Sequence, residues 1–125
     1  MGKKYLLDTN VIIGFASGNF SANQHKQLAA IIDNQSYISI INKIELLGFS
    51  AVPSRIIQFV NSITLLYLDD TVAEQTITLR KKHKIKLPDA IIAATALVHN
   101  LTLLTRNEKD FFKIENLRIA NSWNK

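Results

Sequence analysis

The chain has 125 residues, is 47% apolar, contains no cysteine and carries a formal net charge of +5. That length fits a single domain over residues 1–125 with one real core, and the apolar share argues against a disordered tail. Without cysteine, disulfides and thiolate metal sites are excluded, and a reducing compartment is the simpler expectation. Met1-Gly2-Lys3-Lys4 shows no apolar leader, and no apolar run approaches the ~20 residues of a membrane span. A soluble, cytoplasmic protein with no membrane partner is expected.

Lys4 to Asp8 reads as a short buried strand closing on a carboxylate, and Thr9 to about Ala16 as a helix starting under Asn10. Gly18-Asn19-Phe20-Ser21 is turn chemistry. Leu28, Ala29, Ile31 and Ile32 fit one face of a helix over Asn23 to Ile32, which Asp33-Asn34 ends. Ser36 to Ile41 is a β-rich run read as a second strand, after which Asn42 begins a helix that fades at Gly48. Pro53 suits the first turn of a helix to about Val60, Ile63 to Leu68 reads as a third strand, and Asp69-Asp70 precede a helix from Thr71 toward His83. Leu87-Pro88-Asp89 opens a further helix, Ala90 to about His99, apolar almost all round and therefore interior. Leu101 to Thr105 is a fourth strand and Leu117 to Ala120 a short edge strand.

Short apolar strands alternating with helices indicate an α/β domain with a mostly parallel sheet of four to five strands, covered on both faces. In such a sheet the carboxyl edge of the strands is where ligands and metals are held. Asp8 ends strand one and Glu45 lies in the first turn after strand two. Asp89 opens the helix that feeds strand four, and Asp110 lies just beyond that strand. The topology therefore delivers four acids to one edge. The segment from Thr71 to Lys86 has no such assignment.

Each acid also has a structural explanation. Asp8 suits a helix cap. Asn42-Lys43-Ile44-Glu45 has capping-box spacing, with Asn42 as N-cap. Asp89 complements the positive end of a helix, and Asp110 suits a loop surface. Jointly they ask for more, because carboxylates that close repel one another unless a cation lies between them. Leu7-Asp8-Thr9-Asn10 and Leu87-Pro88-Asp89-Ala90 hold no Arg or Lys, and hard oxygen donors suit Mg²⁺ or Mn²⁺. Thr9, Asn10, Thr105 and Asn107 are placed to orient water around such an ion, though each also reads as a strand end or turn. Arg80, Lys81, Lys82, Lys84 and Lys86, with Arg106, form either a solvated face or a rim that attracts phosphates.

Four motifs in order then carry a resemblance over essentially the whole chain. They are Leu7-Asp8-Thr9-Asn10-Val11-Ile12-Ile13, Ile40-Ile41-Asn42-Lys43-Ile44-Glu45-Leu46-Leu47, Leu87-Pro88-Asp89-Ala90-Ile91-Ile92-Ala93-Ala94-Thr95-Ala96 and Leu103-Leu104-Thr105-Arg106-Asn107-Glu108-Lys109-Asp110-Phe111. The chain resembles the PIN domain family, and within it the VapC-type toxins of toxin–antitoxin pairs. The resemblance implies a three-layer α/β/α fold with strand order 3-2-1-4-5. It implies a metal-dependent endoribonuclease with Asp8, Glu45 and Asp89 as acidic triad, Asp8 and Asp89 being the first choice as metal ligands. Family members place the fourth acid where this chain has Asn107 or where it has Asp110. Asn42 stands where the family often has Ser or Thr, a change that should keep the cap.

The expected chemistry is in-line attack of metal-activated water on an RNA phosphodiester, leaving 5′-phosphate and 3′-hydroxyl ends, with Mg²⁺ replaceable by Mn²⁺. Glu45 would bind the metal or act as general base, and Asp110 or Asn107 would complete the shell. The resemblance further implies a cognate antitoxin protein and a homodimer, to which Phe15, Phe20, Leu28 and Ile32 could contribute if they are not ordinary core. An aspartyl phosphatase would want a second acid two residues after Asp8, where this chain has Asn10. An RNA-processing nuclease, or a PIN-like domain that only binds RNA or protein, completes the set of alternatives.

Overall fold

A computed structural model describes residues 3–33 and 35–121. Strands β1 (Tyr5–Leu7), β2 (Ser36–Ser39), β3 (Thr64–Leu66), β4 (Thr102–Leu104) and β5 (Ile119–Ala120) form one sheet in the order 3-2-1-4-5. Every neighbouring pair is parallel, where a mostly parallel sheet was expected. Helices α1 (Thr9–Ala16), α2 (Ala22–Asp33), α3 (Ile40–Leu47), α4 (Ser54–Ser62), α5 (Asp70–Lys82) and α6 (Leu87–Val98) connect them.

The two-residue pleat sorts the core into two layers. Leu6 and Leu103, paired across β1 and β4, pack with Val72, Leu79, Ile92 and Phe111 beneath α5 and α6. Leu7 and Leu104, the next pair along, pack with Val11, Leu28, Ile38, Leu46 and Val60 beneath α1 to α4. The result is three layers, α/β/α. α6 is interior as expected, with Ala90 to Ala96 all buried. α5, whose position the sequence left open, packs along α6, and Asp69 caps it by accepting the Val72 N–H at 2.9 Å. Asn34, expected to help end α2, lies outside the described residues, as do Met1 and Gly2.

Several ends move by one to three residues, β3 being Thr64–Leu66, β5 Ile119–Ala120 and α6 starting at Leu87. The end of β2 and the start of α3 differ in a way that matters for the site, and for one reason. β2 stops at Ser39, and Ile40 and Ile41 belong to α3 rather than to the strand. Ser39 is the N-cap: its hydroxyl accepts the Ile41 N–H at 3.1 Å, and the Asn42 side-chain carbonyl accepts the Ser39 N–H at 2.8 Å. The box is therefore Ser39/Asn42 rather than Asn42/Glu45, and Asn42 is its third helical residue, not its cap. Glu45 consequently lies one turn deeper in α3 than expected. Two β-branched isoleucines after a β-rich run look like strand until the serine before them is read as a stop.

Leu28 is buried in the α1–α4 layer, and Phe15, Phe20 and Ile32 pack against the same cluster. Phe20 lies over α1 at Gly14, where a Cβ would meet the ring at 2.7 Å. Core packing thus uses all four residues, while Phe15 also stacks on the His25 ring at 4.3 Å.

Candidate active site

Asp8 sits one residue beyond β1 as the N-cap of α1, with extended backbone at φ −79° and ψ 156°. Its amide donates to the Leu104 carbonyl at 3.0 Å, prolonging the ladder by one rung and fixing the residue at the carboxyl edge. One carboxylate oxygen accepts the Thr9 N–H at 2.8 Å, and the other accepts the Thr105 hydroxyl at 2.7 Å. The side chain is only 6% exposed. Burial pushes its pKa above the ordinary carboxylate range; the Thr105 and Thr9 hydrogen bonds oppose the rise, and the charges of Glu45 and Asp110 add to it.

A second acid is wired to the first through the intervening threonine. The Thr9 hydroxyl donates to Glu45 Oε1 at 2.7 Å and accepts from Asn42 Nδ2 at 2.9 Å. Asn42 is fully buried and spends its other pole on the Ser39 amide. One network therefore ties the start of α1 to the start of α3. Spacing alone suggested Asn42 as an N-cap, where the structure has it as the third helical residue, and gave no sign of its bond with Thr9.

Asp89 arrives from the opposite layer, as the third residue of α6 and immediately after Pro88. It is half-buried, and its pKa is raised first by that burial, then by the charges of Asp8, Asp110 and Glu45; Lys86 alone works the other way. Asp8, Glu45 and Asp89 line one cavity of about 480 Å³ with Thr9, Asn10, Ile13, Phe49 and Asn107. Among the described residues no Lys or Arg shares that lining. Three carboxylates facing one hollow with oxygen donors only is a set that fits a hard divalent cation. Among the described residues no three acidic or histidine side chains are already drawn together as a ligand set, so an ion would have to gather them.

The other expected residues distribute as follows. Asp110, exposed on a single 3-10 turn (Glu108–Asp110), does not line this cavity, whereas Asn107 does. Asp110 lines a neighbouring groove together with Asp89, Lys84 and Lys86. Arg80, Lys81 and Lys82 form the exposed last turn of α5, where positive charge complements the helix end. Arg106 holds its guanidinium 5.1 Å from the centre of the Phe20 ring, and its amide donates to Asn10 Oδ1 at 3.4 Å. Thr105 is buried and accepts the Asn107 N–H at 3.0 Å. Phe49 and Ile13 escaped the sequence reading, because an apolar lining residue has no signature apart from core. A larger hollow of about 610 Å³ lies at the amino ends of β2 and β3, among Phe15, Ile32, Tyr37 and Phe59. Its one acid is Asp33, so size does not select the site; chemistry does.

The PIN domain family model matches residues 5–117. The chain belongs to the PIN domain family. No curated protein matches it. Among solved structures, a chain of a toxin–antitoxin complex from Klebsiella pneumoniae is 33% identical, with a TM-score of 0.77 over 94% of this chain and 97% of that one. VapBC2 from Rickettsia felis, bound to a DNA fragment from its promoter, is 25% identical, with a TM-score of 0.80 over 93% and 96%. VapBC-1 from nontypeable Haemophilus influenzae is 26% identical, with a TM-score of 0.75 over 97% and 98%. This PIN domain thus resembles the VapC toxins of toxin–antitoxin systems. Among the described residues no helix is long and apolar enough to cross a membrane.

Proposed function

We propose that this PIN domain is a Mg²⁺-dependent endoribonuclease and the toxin of a toxin–antitoxin pair. The observation that carries the reading is the cavity itself: Asp8, Glu45 and Asp89, from three separate stretches of chain, face one hollow lined, among the described residues, by no basic side chain. Mutual repulsion and burial make that arrangement costly for the fold, and a divalent cation offsets the cost. Asp8 and Asp89 would hold the ion, Mg²⁺ or in its place Mn²⁺, and Asn107, which lines the same cavity, or Asp110, which lines the groove beside it, would complete the shell. When bound, the ion supplies Lewis acidity at the phosphate and lowers the pKa of water beside it.

The chain's own residues do the positioning. Thr105 and the Thr9 amide hold both oxygens of Asp8, so its orientation is set before any ligand arrives. Thr9 holds Glu45 by one oxygen, which directs the carboxylate into the cavity as the base that takes a proton from the attacking water. Cleavage leaves 5′-phosphate and 3′-hydroxyl ends, because the 2′-hydroxyl is not the nucleophile. Lys84 and Lys86, beside Asp89, attract the RNA backbone. The likeness to toxin–antitoxin complexes supports a cognate antitoxin protein that covers the acidic cavity. A cytoplasmic homodimer of single-domain chains remains the expected state, read by sedimentation at micromolar concentration.

The test compares wild type with Asp8→Asn and Asp89→Asn, each shown folded by circular dichroism. Mg²⁺-dependent cleavage of RNA should fall by about 100-fold or more in both variants. Equal cleavage by all three refutes the assignment.

A further inference from the structure

Asp89 borders two hollows at once: the acidic cavity and a groove of about 470 Å³ on its other side. The groove has the opposite electrostatic character. Lys84 and Lys86, from the loop into α6, face it from one wall, and Lys109 and Lys113, from the segment after β4, from the other. Among the described residues, four lysines against Asp89 and Asp110 leave a formal balance of +2 there, while the adjoining cavity holds three acids and no lysine or arginine. A phosphodiester chain crossing Asp89 would pass from a centre built for a cation into a channel built for its next phosphates.

The same groove carries an aromatic ring that the core does not use. Phe111 is 1% exposed and packs under α5 and α6, but Phe112, its neighbour, is 63% exposed and lines the groove. The Lys113 ammonium lies 5.9 Å from the centre of the Phe112 ring, which keeps a positive charge over an otherwise bare π-face. An open ring among phosphate-attracting lysines matches how proteins hold single strands, with bases on the aromatic and backbone on the charges. Duplex bases are already stacked and offer no face to it.

We propose that this groove binds the single-stranded RNA flank beside the cleaved phosphate, with Phe112 stacking on one base and Lys84, Lys86, Lys109 and Lys113 holding the backbone. The proposal rests on the ribonuclease reading only for what happens at the acids; the groove's affinity for RNA does not need them. Phe112 is a positioning residue, and it restricts the enzyme to unpaired segments such as loops and tails.

Fluorescence polarisation of a labelled, unstructured RNA in EDTA tests this without any cleavage. Phe112→Ala should weaken binding about 5-fold or more, while Phe112→Tyr stays within about twofold of wild type, because stacking needs a ring and not a phenylalanine. Lys109→Gln with Lys113→Gln should flatten the dependence of log affinity on log salt by about 1 to 2. A blunt RNA duplex should bind wild type and Phe112→Ala alike. Unchanged affinity in Phe112→Ala, an unchanged salt slope in the lysine variant, or no RNA binding by wild type each overturns the proposal; the first two would leave the lysines to an acidic protein partner. Wild type that binds in this pattern but never cuts RNA sinks the nuclease reading and leaves the groove standing. Normal cutting with unaltered variant affinities sinks the groove alone.

Discussion

The acidic cavity has two walls built by different physics. On one wall, Asp8 and Glu45 are held by a hydrogen-bond network running from Ser39 through Asn42 and Thr9, with Thr105 closing it from just beyond β4. On the other wall, Asp89 stands at the start of α6, shaped by burial and by the charges around it, Lys86 included. The first wall is set before a ligand comes. The second is set by electrostatics and responds to whatever charge arrives. On the proposed reading, a site assembled this way would keep one preset reference for a reacting phosphate and leave one acid to adjust to a cation.

The comparison breaks most readily at Asn42. Its amide is fully buried, accepts from the Ser39 N–H and donates to the Thr9 hydroxyl. Asn42→Ala leaves a buried N–H without its acceptor and removes the strut under Thr9, so stability should fall by about 1–3 kcal/mol. Urea unfolding reads this as a lower midpoint at unchanged slope, and RNA cleavage should fall with it as Glu45 loses its support. A variant as stable and active as wild type would mean that the first wall does not depend on its network.

The sequence revealed these two walls unequally. Asp8 and Asp89 are legible because each sits where an apolar run changes period, at a strand end and at a Pro-led helix start, and topology alone brings such points to one edge. The sheet order followed from the resemblance and the layer count from the alternation of elements. Glu45 was placed at the right edge but in the wrong turn, since Ile40 and Ile41 have strand propensity and Ser39 was read as part of the strand it ends. The competition between Asn107 and Asp110 could not be resolved from spacing. In the structure Asn107 lines the cavity and Asp110, on a single 3-10 turn, lines the groove beside it, close enough for its charge to raise the pKa of both Asp8 and Asp89. Lys109, Phe112 and Lys113 gave no signal at all, because they become a groove only when their segment lies beside Lys84 and Lys86.

Thr105 offers a gentler way to sharpen the contrast. Its hydroxyl donates to Asp8 at 2.7 Å, and that bond holds the Asp8 pKa down against burial and neighbouring charge. Thr105→Val keeps the shape and removes the donor, so the Asp8 pKa should rise further and the acid limb of the pH–rate profile should move to higher pH. Thr105→Ser should restore it. The stability cost should be about 1–2 kcal/mol, since the hydroxyl's bond to Asp8 and the one it accepts from the Asn107 N–H are both lost. An acid limb that stays in place would show that Asp8 does not govern it.

The smallest expected effect lies on the second wall and has the opposite sign. Asp89, like Asp8, has its pKa raised in the folded protein above the ordinary value of 3.8. Between that value and the raised one, the folded chain binds more protons than the unfolded chain, so stability falls as pH rises through the window. Above the window the cost is complete, and metal-free protein carries it at neutral pH. Asp89→Asn should therefore raise the melting temperature of metal-free protein slightly at pH 7, the half-exposed carboxylate being screened by water. That gain should vanish as the pH is lowered below 3.8, where both chains are uncharged at this position. Added Mg²⁺ should raise the melting temperature of wild type and do so much less in the variant, since binding to the folded state alone is what shifts the equilibrium. If Asp89→Asn is less stable than wild type without metal, the second wall is held by specific bonds after all, and its difference from the first disappears.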